Sequence, residues 1–252
     1  MSQEGGGGCS AGSPLEQVRR LYSELAQHPE RNFGWGKGRE NARALGYARE
    51  WLDLLPDSVW ESAAAVGNPF SLGRVRAGET VVDAGCGAGA DACVAAMLVG
   101  ESGRVIGVDC TPAMVARARD SAAATGLSQI MIHEADMVEL PLPDCCADVV
   151  ISNGAINLAP DKHAVLAELF RVLCPGGRLQ IADMVRDLSS EDSACCRDRE
   201  SWADCVSGTV DPGTFLSMLT SAGFVDVELA GFTGYRTAVS TTGALFRGIK
   251  PG

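Results

Sequence analysis

An α/β fold, with a parallel sheet and helices on both of its faces, is predicted by three observations. From residue 80 onward, short apolar runs alternate with stretches of helical periodicity. The runs are continuously apolar instead of alternating with polar residues, as in strands covered on both sides. A glycine-rich segment, Asp83-Ala84-Gly85-Cys86-Gly87-Ala88-Gly89-Ala90-Asp91, separates the first run from the helical stretch that follows. That is where a parallel sheet turns from strand to helix.

The elements follow in order. Residues 1–13, rich in Gly and Ser, read as a flexible tail without the basic and apolar regions of a secretory signal, so the cytoplasm is the expected compartment. Residues 14–77 read as a helical N-terminal extension or lid. Pro14 to Gln27 carries Leu15, Val18, Leu21 and Leu25 at helical spacing. Asn32 to Gly38 is a loop of two aromatics and three glycines, Glu40 to Leu55 is a second helix ending at Pro56, and Asp57-Ser58 caps a third toward Ala65. Residues 78–252 form the main domain. Strands are predicted at 80–84, 105–109, 130–133, 148–152, 178–182, 225–229 and 244–249, and helices at 91–99, 112–125, 161–173 and 213–222. The last two strands are too close in sequence for a helical crossover and are expected to pair antiparallel.

Composition narrows the function. The chain has 252 residues, 46% hydrophobic, enough to bury a core without disulfides or a metal. Its net charge of -11 argues against a nucleic-acid backbone as the main partner. No apolar run reaches the ~18 residues of a membrane helix. Ten cysteines without a Cys-x-x-Cys pair, and His28, His133 and His163 without ligand spacing, predict free thiols and no zinc site.

The glycine turn implies a nucleotide-like ligand, because its backbone N–H groups face outward at a helix N-terminus. Asp109, 20 residues beyond Gly89 at the end of the second strand, is placed to accept from both hydroxyls of a ribose. Gly85-x-Gly87-x-x-Ala90 also fits a dinucleotide fingerprint, so the turn alone leaves the cofactor open.

Five segments in order narrow it: Glu79-Thr80-Val81-Val82-Asp83-x-Gly85-x-Gly87-x-Gly89, Gly107-Val108-Asp109, Ala135-Asp136-Met137, Ile151-Ser152-Asn153, and Arg171-Val172-Leu173-Cys174-Pro175-Gly176-Gly177-Arg178-Leu179. Together they resemble the motifs of class I S-adenosylmethionine-dependent methyltransferases. The resemblance implies a Rossmann-like, seven-stranded, mostly parallel sheet with the last strand antiparallel. It implies S-adenosylmethionine as cofactor, bound by Asp83, Gly85, Cys86, Gly87, Asp109, Cys110, Ala135, Asp136, Met137 and Asn153. In it Asp109 binds ribose, Asp136 reaches the adenine amino group, Met137 packs on the ring, and Asn153 lies beside the methionine part. Asp83 either binds the amino group or caps the glycine turn.

Val149 to Lys162, Val108 to Met114 and Trp202 to Gly208 resemble arsenite methyltransferases more specifically. The departures concern the acceptor. That family holds trivalent arsenic with three thiolates, and here only Cys205 stands where one is expected; Gly154 and Val66 occupy the other two positions. Cys195, Cys196 and Cys9 are the available substitutes. The expected activity is methyl transfer to a small molecule in a reassigned pocket, with Cys205, Asn157, Trp202 and Trp35 as acceptor-side candidates and Phe33, Trp35 and Phe70 as an aromatic lid. The alternatives are true methylation of trivalent arsenic or another soft nucleophile through Cys205 with Cys195 or Cys196, and a non-catalytic cofactor-binding module. No convincing general base is legible: His133 lies in a strand and His163 at an exposed helix start.

Overall fold

The computed structural model describes residues 12–187 and 208–252. Among them the strands are β1 (Thr80–Ala84), β2 (Arg104–Asp109), β3 (Ile130–Glu134), β4 (Ala147–Asn153), β5 (Leu173–Arg186), β6 (Val225–Phe232) and β7 (Thr241–Ile249). They form one sheet in the order β3-β2-β1-β4-β5-β7-β6. Neighbours among β1 to β5 pair parallel, while β7 inserts between β5 and β6 and pairs antiparallel with both.

Period-two alternation divides the strand residues between two cores. Val82, Ile106 and Val150 face α7 (Lys162–Val172) and α8 (Pro212–Ser221), where Phe215 stacks on Phe246 at 4.5 Å. Val81, Val105 and Val149 face α5 (Ala90–Val99) and the N-terminal extension. Both faces of β1, β2, β4 and β5 are therefore covered, which is why those strands read as unbroken apolar runs, while the edge strands β3 and β6 remain partly exposed. The remaining helix of this domain, α6 (Pro112–Thr125), starts on Thr111-Pro112 and is stopped by Gly126 in a left-handed conformation.

The extension holds α1 (Pro14–Gln27), α2 (Gly38–Ala44), α3 (Arg49–Leu54) and the single turn α4 (Asp57–Trp60). Ser13 and Glu16 form a capping box that fixes the start of α1. Leu25 and Ala26 at its other end pack on Ala88 and Met114. Tyr47, Leu52, Val59 and Trp60 share one apolar cluster with β1, β4 and α5, so the extension is packed against the sheet domain along its length.

Three expectations change. The helix expected from Glu40 to Leu55 is two, because Gly46 at φ +81° reverses the chain between them. The helix expected from Asp57 to Ala65 stops at Trp60. Beyond it the carbonyls of Ala63 and Ala65 accept from Gly38 N and Asn41 Nδ2 instead of from a helical turn. Strand β5 is longer than 178–182: its register to β4 jumps from Ala147↔Leu173 to Val149↔Arg178, so Cys174 to Gly177 bulge out, and pairing with β7 carries it to Arg186.

Asn157, an acceptor-side candidate, lies outside the lining of the cavity described below. It is fully buried in a 3-10 turn (Ile156–Leu158), and its Nδ2 donates to Asp183 Oδ1 at 3.0 Å and to Met184 O. Asp183 on β5 also accepts from the backbone N–H groups of Ile156, Asn157 and Met184. Burial pushes its carboxyl up to about 6 against the pull of those bonds. The folded state holds this proton more tightly than the unfolded chain. The stability it contributes is therefore full below about pH 4 and lost as pH rises through about 6, a change of roughly 3 kcal/mol. Urea unfolding of the protein and of Asp183→Asn between about pH 4 and pH 7.5 checks this: the protein should lose ground to the variant as pH rises, and a constant difference would contradict it.

Among the described residues no helix is long and apolar enough to cross a membrane.

Candidate active site

A cavity open to solvent lies at the C-terminal ends of β1, β2 and β4, where parallel α/β sheets bind small molecules. Asp83, Asp109 and Asn153 line it from those three strand ends. Its outer walls come from Leu15, Val18 and Tyr22 on α1 and from residues 62–65.

The glycine turn forms the floor. Gly85 N and Cys86 N donate to Val108 O at 2.8 and 3.0 Å, which ties the turn to β2. Gly85, at φ +75°, admits no side chain, because a Cβ there would lie 2.3 Å from that of Ala155. Gly89 at φ +84° lets α6 approach, with Ala118 Cα 3.1 Å from where a Cβ would stand. Asp109 Oδ2 accepts from Gly87 N at 2.9 Å and Oδ1 from Thr111 N at 2.8 Å, so one carboxylate braces both the turn and the start of α6.

Beside the turn lies a buried polar knot. Tyr47 OH donates to Asp91 Oδ1 at 2.6 Å. Asn153 Nδ2 lies 2.9 Å from Asp91 Oδ2, 2.9 Å from Gly67 O and 3.0 Å from Tyr47 OH, while its Oδ1 accepts from Val66 N. Asp83 is 1% exposed and is drawn toward Ala92 N in the first turn of α5, but its Oδ2 has no hydrogen-bond partner among the described residues. Burial raises the carboxyls of Asp83, Asp91 and Asp109 above the usual range, and their mutual repulsion adds to the shift at Asp83. An orphaned acid oxygen on a cavity wall already crowded with carboxylates calls for a cationic ligand group.

Of the residues expected from the sequence, Asp83, Gly85, Cys86, Gly87, Asp109, Cys110, Asp136, Met137 and Asn153 all line this cavity. Ala135 does not; it packs on the sheet core and its N–H donates to Asp109 O. The glycine turn itself is held by Val108 and Asp109, while Asp83 accepts from Ala92 N in the first turn of the helix that the turn opens. The amide of Asn153 is engaged by protein groups, which ties residues 66 and 67 to the end of β4.

Trp35 and the aromatic lid need correcting. Trp35 lies outside the lining, half-buried against Val18, Val66 and Tyr235, with Phe33 at 5.5 Å, and Phe70 is core beside Tyr47 and Trp51. The aromatic lining is instead Tyr22, Tyr47 and Trp60. Sequence reading missed these and Asp91. The signals available were Gly46, which turns Tyr47 inward, and the second carboxylate of the Asp83 to Asp91 segment. Cys205, Trp202, Cys195, Cys196 and Cys9 lie outside the described residues.

Gly154, where the resemblance expects a thiolate, sits at φ +70°, and a Cβ on it would stand 3.2 Å from Val66 Cγ1. The two substituted positions are thus neighbours. The two thiols in the cavity lining, Cys86 and Cys110, are pushed up by burial and then by nearby aspartates, which keeps them protonated.

A seven-stranded sheet with β7 reversed and a ligand cavity over the glycine turn is the architecture of class I S-adenosylmethionine-dependent methyltransferases. The family model described as a methyltransferase domain matches residues 76–223. The arsenite methyltransferase of Halobacterium salinarum is 38% identical over 186 residues, covering 74% of this chain and 47% of that protein. A ubiquinone/menaquinone biosynthesis C-methyltransferase of Pseudomonas putida is 30% identical over 251 residues, covering 88% and 96%. The crystal structure of an arsenic(III) S-adenosylmethionine methyltransferase from Chlamydomonas reinhardtii superposes with a TM-score of 0.59 at 27% identity, covering 86% of this chain and 74% of that one. The chain belongs to the methyltransferase domain family and lies close to its arsenite methyltransferases. It spans about half the length of the bacterial and archaeal arsenite methyltransferases it matches.

Proposed function

We propose that this protein transfers a methyl group from S-adenosylmethionine to an apolar small organic molecule, in a pocket that no longer carries the arsenic-binding thiolates. The observation that carries this reading is the approach of Gly154 and Val66: Gly154 lines the cavity, Val66 stands directly behind it, and neither of these two positions expected to hold a thiolate has sulfur. Ala64, Ala65, Leu158, Ala159 and Pro160 continue an apolar wall beside them. The match to a C-methyltransferase along nearly its whole length supports an organic acceptor.

The residues present fit the cofactor. Asp83 has a free oxygen for its amino group, Asp109 faces the cavity for ribose hydroxyls, and Asp136 and Met137 are placed for the adenine. When bound, the cofactor supplies an electrophilic methyl on a cationic sulfur. The protein's part is to aim the acceptor along the line of displacement and to keep water away, tasks suited to the apolar wall and to α1. The described lining contains no histidine. An acceptor that reacts without a general base, such as a soft or already electron-rich atom, suits it best.

Similarity to arsenite methyltransferases favours a second reading, in which Cys205 with Cys195 or Cys196 binds trivalent arsenic. Incubation with labelled S-adenosylmethionine and arsenite, glutathione, selenite or a metabolite extract, followed by mass spectrometry of the products, separates the readings. A labelled organic product with no arsenical, unchanged in Cys205→Ser, is the expected result. A labelled arsenical lost in Cys205→Ser would replace the first reading with the second. Cofactor binding without any turnover would indicate a non-catalytic module.

A further inference from the structure

At the opposite end of the strands from the cavity, three cysteines converge where β4 begins and β5 bulges. Cys145 is exposed and adopts a left-handed backbone, φ +52°, next to Cys146. Cys174, in the bulge, donates its thiol to Cys145 O at 2.8 Å. Lys250 Nζ stands 3.6 Å from Cys145 Sγ. Its ammonium is anchored, donating to Phe170 O at 2.9 Å and Leu173 O at 2.8 Å and lying 4.7 Å from the Phe170 ring centre.

Nothing in the methyltransferase site accounts for this group. An exposed sulfur held beside a fixed positive charge is the arrangement that stabilises negative charge as a thiol reacts, and Cys174, whose sulfur lies 2.8 Å from the Cys145 carbonyl oxygen, supplies a second thiol on the adjoining strand to resolve the product. Among the described cysteines only Cys145 is exposed. Burial pushes the Cys146 and Cys174 thiols up, holding them protonated at the start.

The geometry points to Cys145 as a thiol–disulfide exchange site for low-molecular-weight disulfides, with Lys250 as its positioning cation and Cys174 as the resolving thiol. Cys145 gives its proton to solvent and its sulfur attacks one sulfur of the disulfide. The disulfide bond breaks, a mixed disulfide forms on Cys145, and the departing thiolate takes a proton. Cys174 then attacks the Cys145 sulfur, loses its proton, and displaces the second small thiol. The protein gives up two hydrogens as a Cys145–Cys174 disulfide, and the small disulfide is reduced to two thiols.

The full chain is treated with oxidised glutathione, and its cysteines are followed in time by peptide mass spectrometry. The protein should yield a peptide pair joined through Cys145 and Cys174, and Cys174→Ser should instead accumulate glutathione on Cys145. Lys250→Met should slow the Cys145 reaction by about tenfold, and Lys250→Arg, which keeps the charge, should restore most of it. Thermal melts of each variant verify that it is folded. A Cys145 rate the same in folded Lys250→Met as in the protein overturns the inference. So does resolution of the Cys145 adduct by any cysteine other than Cys174.

Discussion

Gly85→Ala is expected to abolish measurable cofactor binding and to lower the melting temperature. Two costs coincide at this position. The backbone at φ +75° disfavours any residue with a Cβ, and that Cβ would lie 2.3 Å from the Ala155 Cβ and 3.5 Å from Met137 Sδ. The left-handed conformation costs about 1–2 kcal/mol and overpacking about 1–3 more. Relief requires moving either the turn or the 153–155 segment, and both line the cavity. Calorimetric titration with S-adenosylmethionine, alongside a thermal melt, checks this. Native-like affinity in the variant would mean that the turn is not part of the binding surface. Gly87 is the internal comparison: its φ is also positive, at +51°, but a Cβ there meets nothing within 4 Å, so Gly87→Ala should lose less stability.

Asp109→Ala is expected to weaken cofactor affinity by about 2–4 kcal/mol, since it removes a charged acceptor from two backbone N–H groups and from the ribose it is placed to bind. Two contributions are separable. The bonds to Gly87 N and Thr111 N hold the turn without any ligand, so their loss appears in the melting temperature of the free protein. The bonds to the ribose appear only in affinity. Asp109→Asn retains one oxygen acceptor and should fall between the two. A melt shift in Asp109→Ala without any change in affinity would leave Asp109 as a brace alone.

The glycine turn and the strand ends were legible because they are local. Alternation of apolar runs with helical spacing identified each strand of the sheet, and Asp83, Asp109 and Asp136 are placed by the chain immediately around them. Residues delivered from far away in sequence were not legible. Tyr47 reaches Asp91 across 44 positions, and Asn153 reaches Val66 across 87. Asn157 and Trp35 read as acceptor contacts because resemblance and composition say what a residue is able to touch, not which way the fold turns it. One is consumed by Asp183 and the other by the packing of α1 against Val66 and Tyr235.

The sequence by itself determined the α/β class, the antiparallel pairing of the last two strands, the glycine-rich turn and the identity of positions 66 and 154 as Val and Gly. Each is a matter of neighbouring residues, periodicity or residue identity. Tertiary structure alone decided that Gly154 and Val66 are neighbours, that α1 and Tyr47 wall the cavity, that Asp83 keeps an unsatisfied oxygen there, and that Cys145, Cys174 and Lys250 meet at the far end of the strands. Those are contacts between segments separated by many residues. They are selected by packing apolar surface and satisfying buried polar groups throughout the molecule, which no local window of sequence contains.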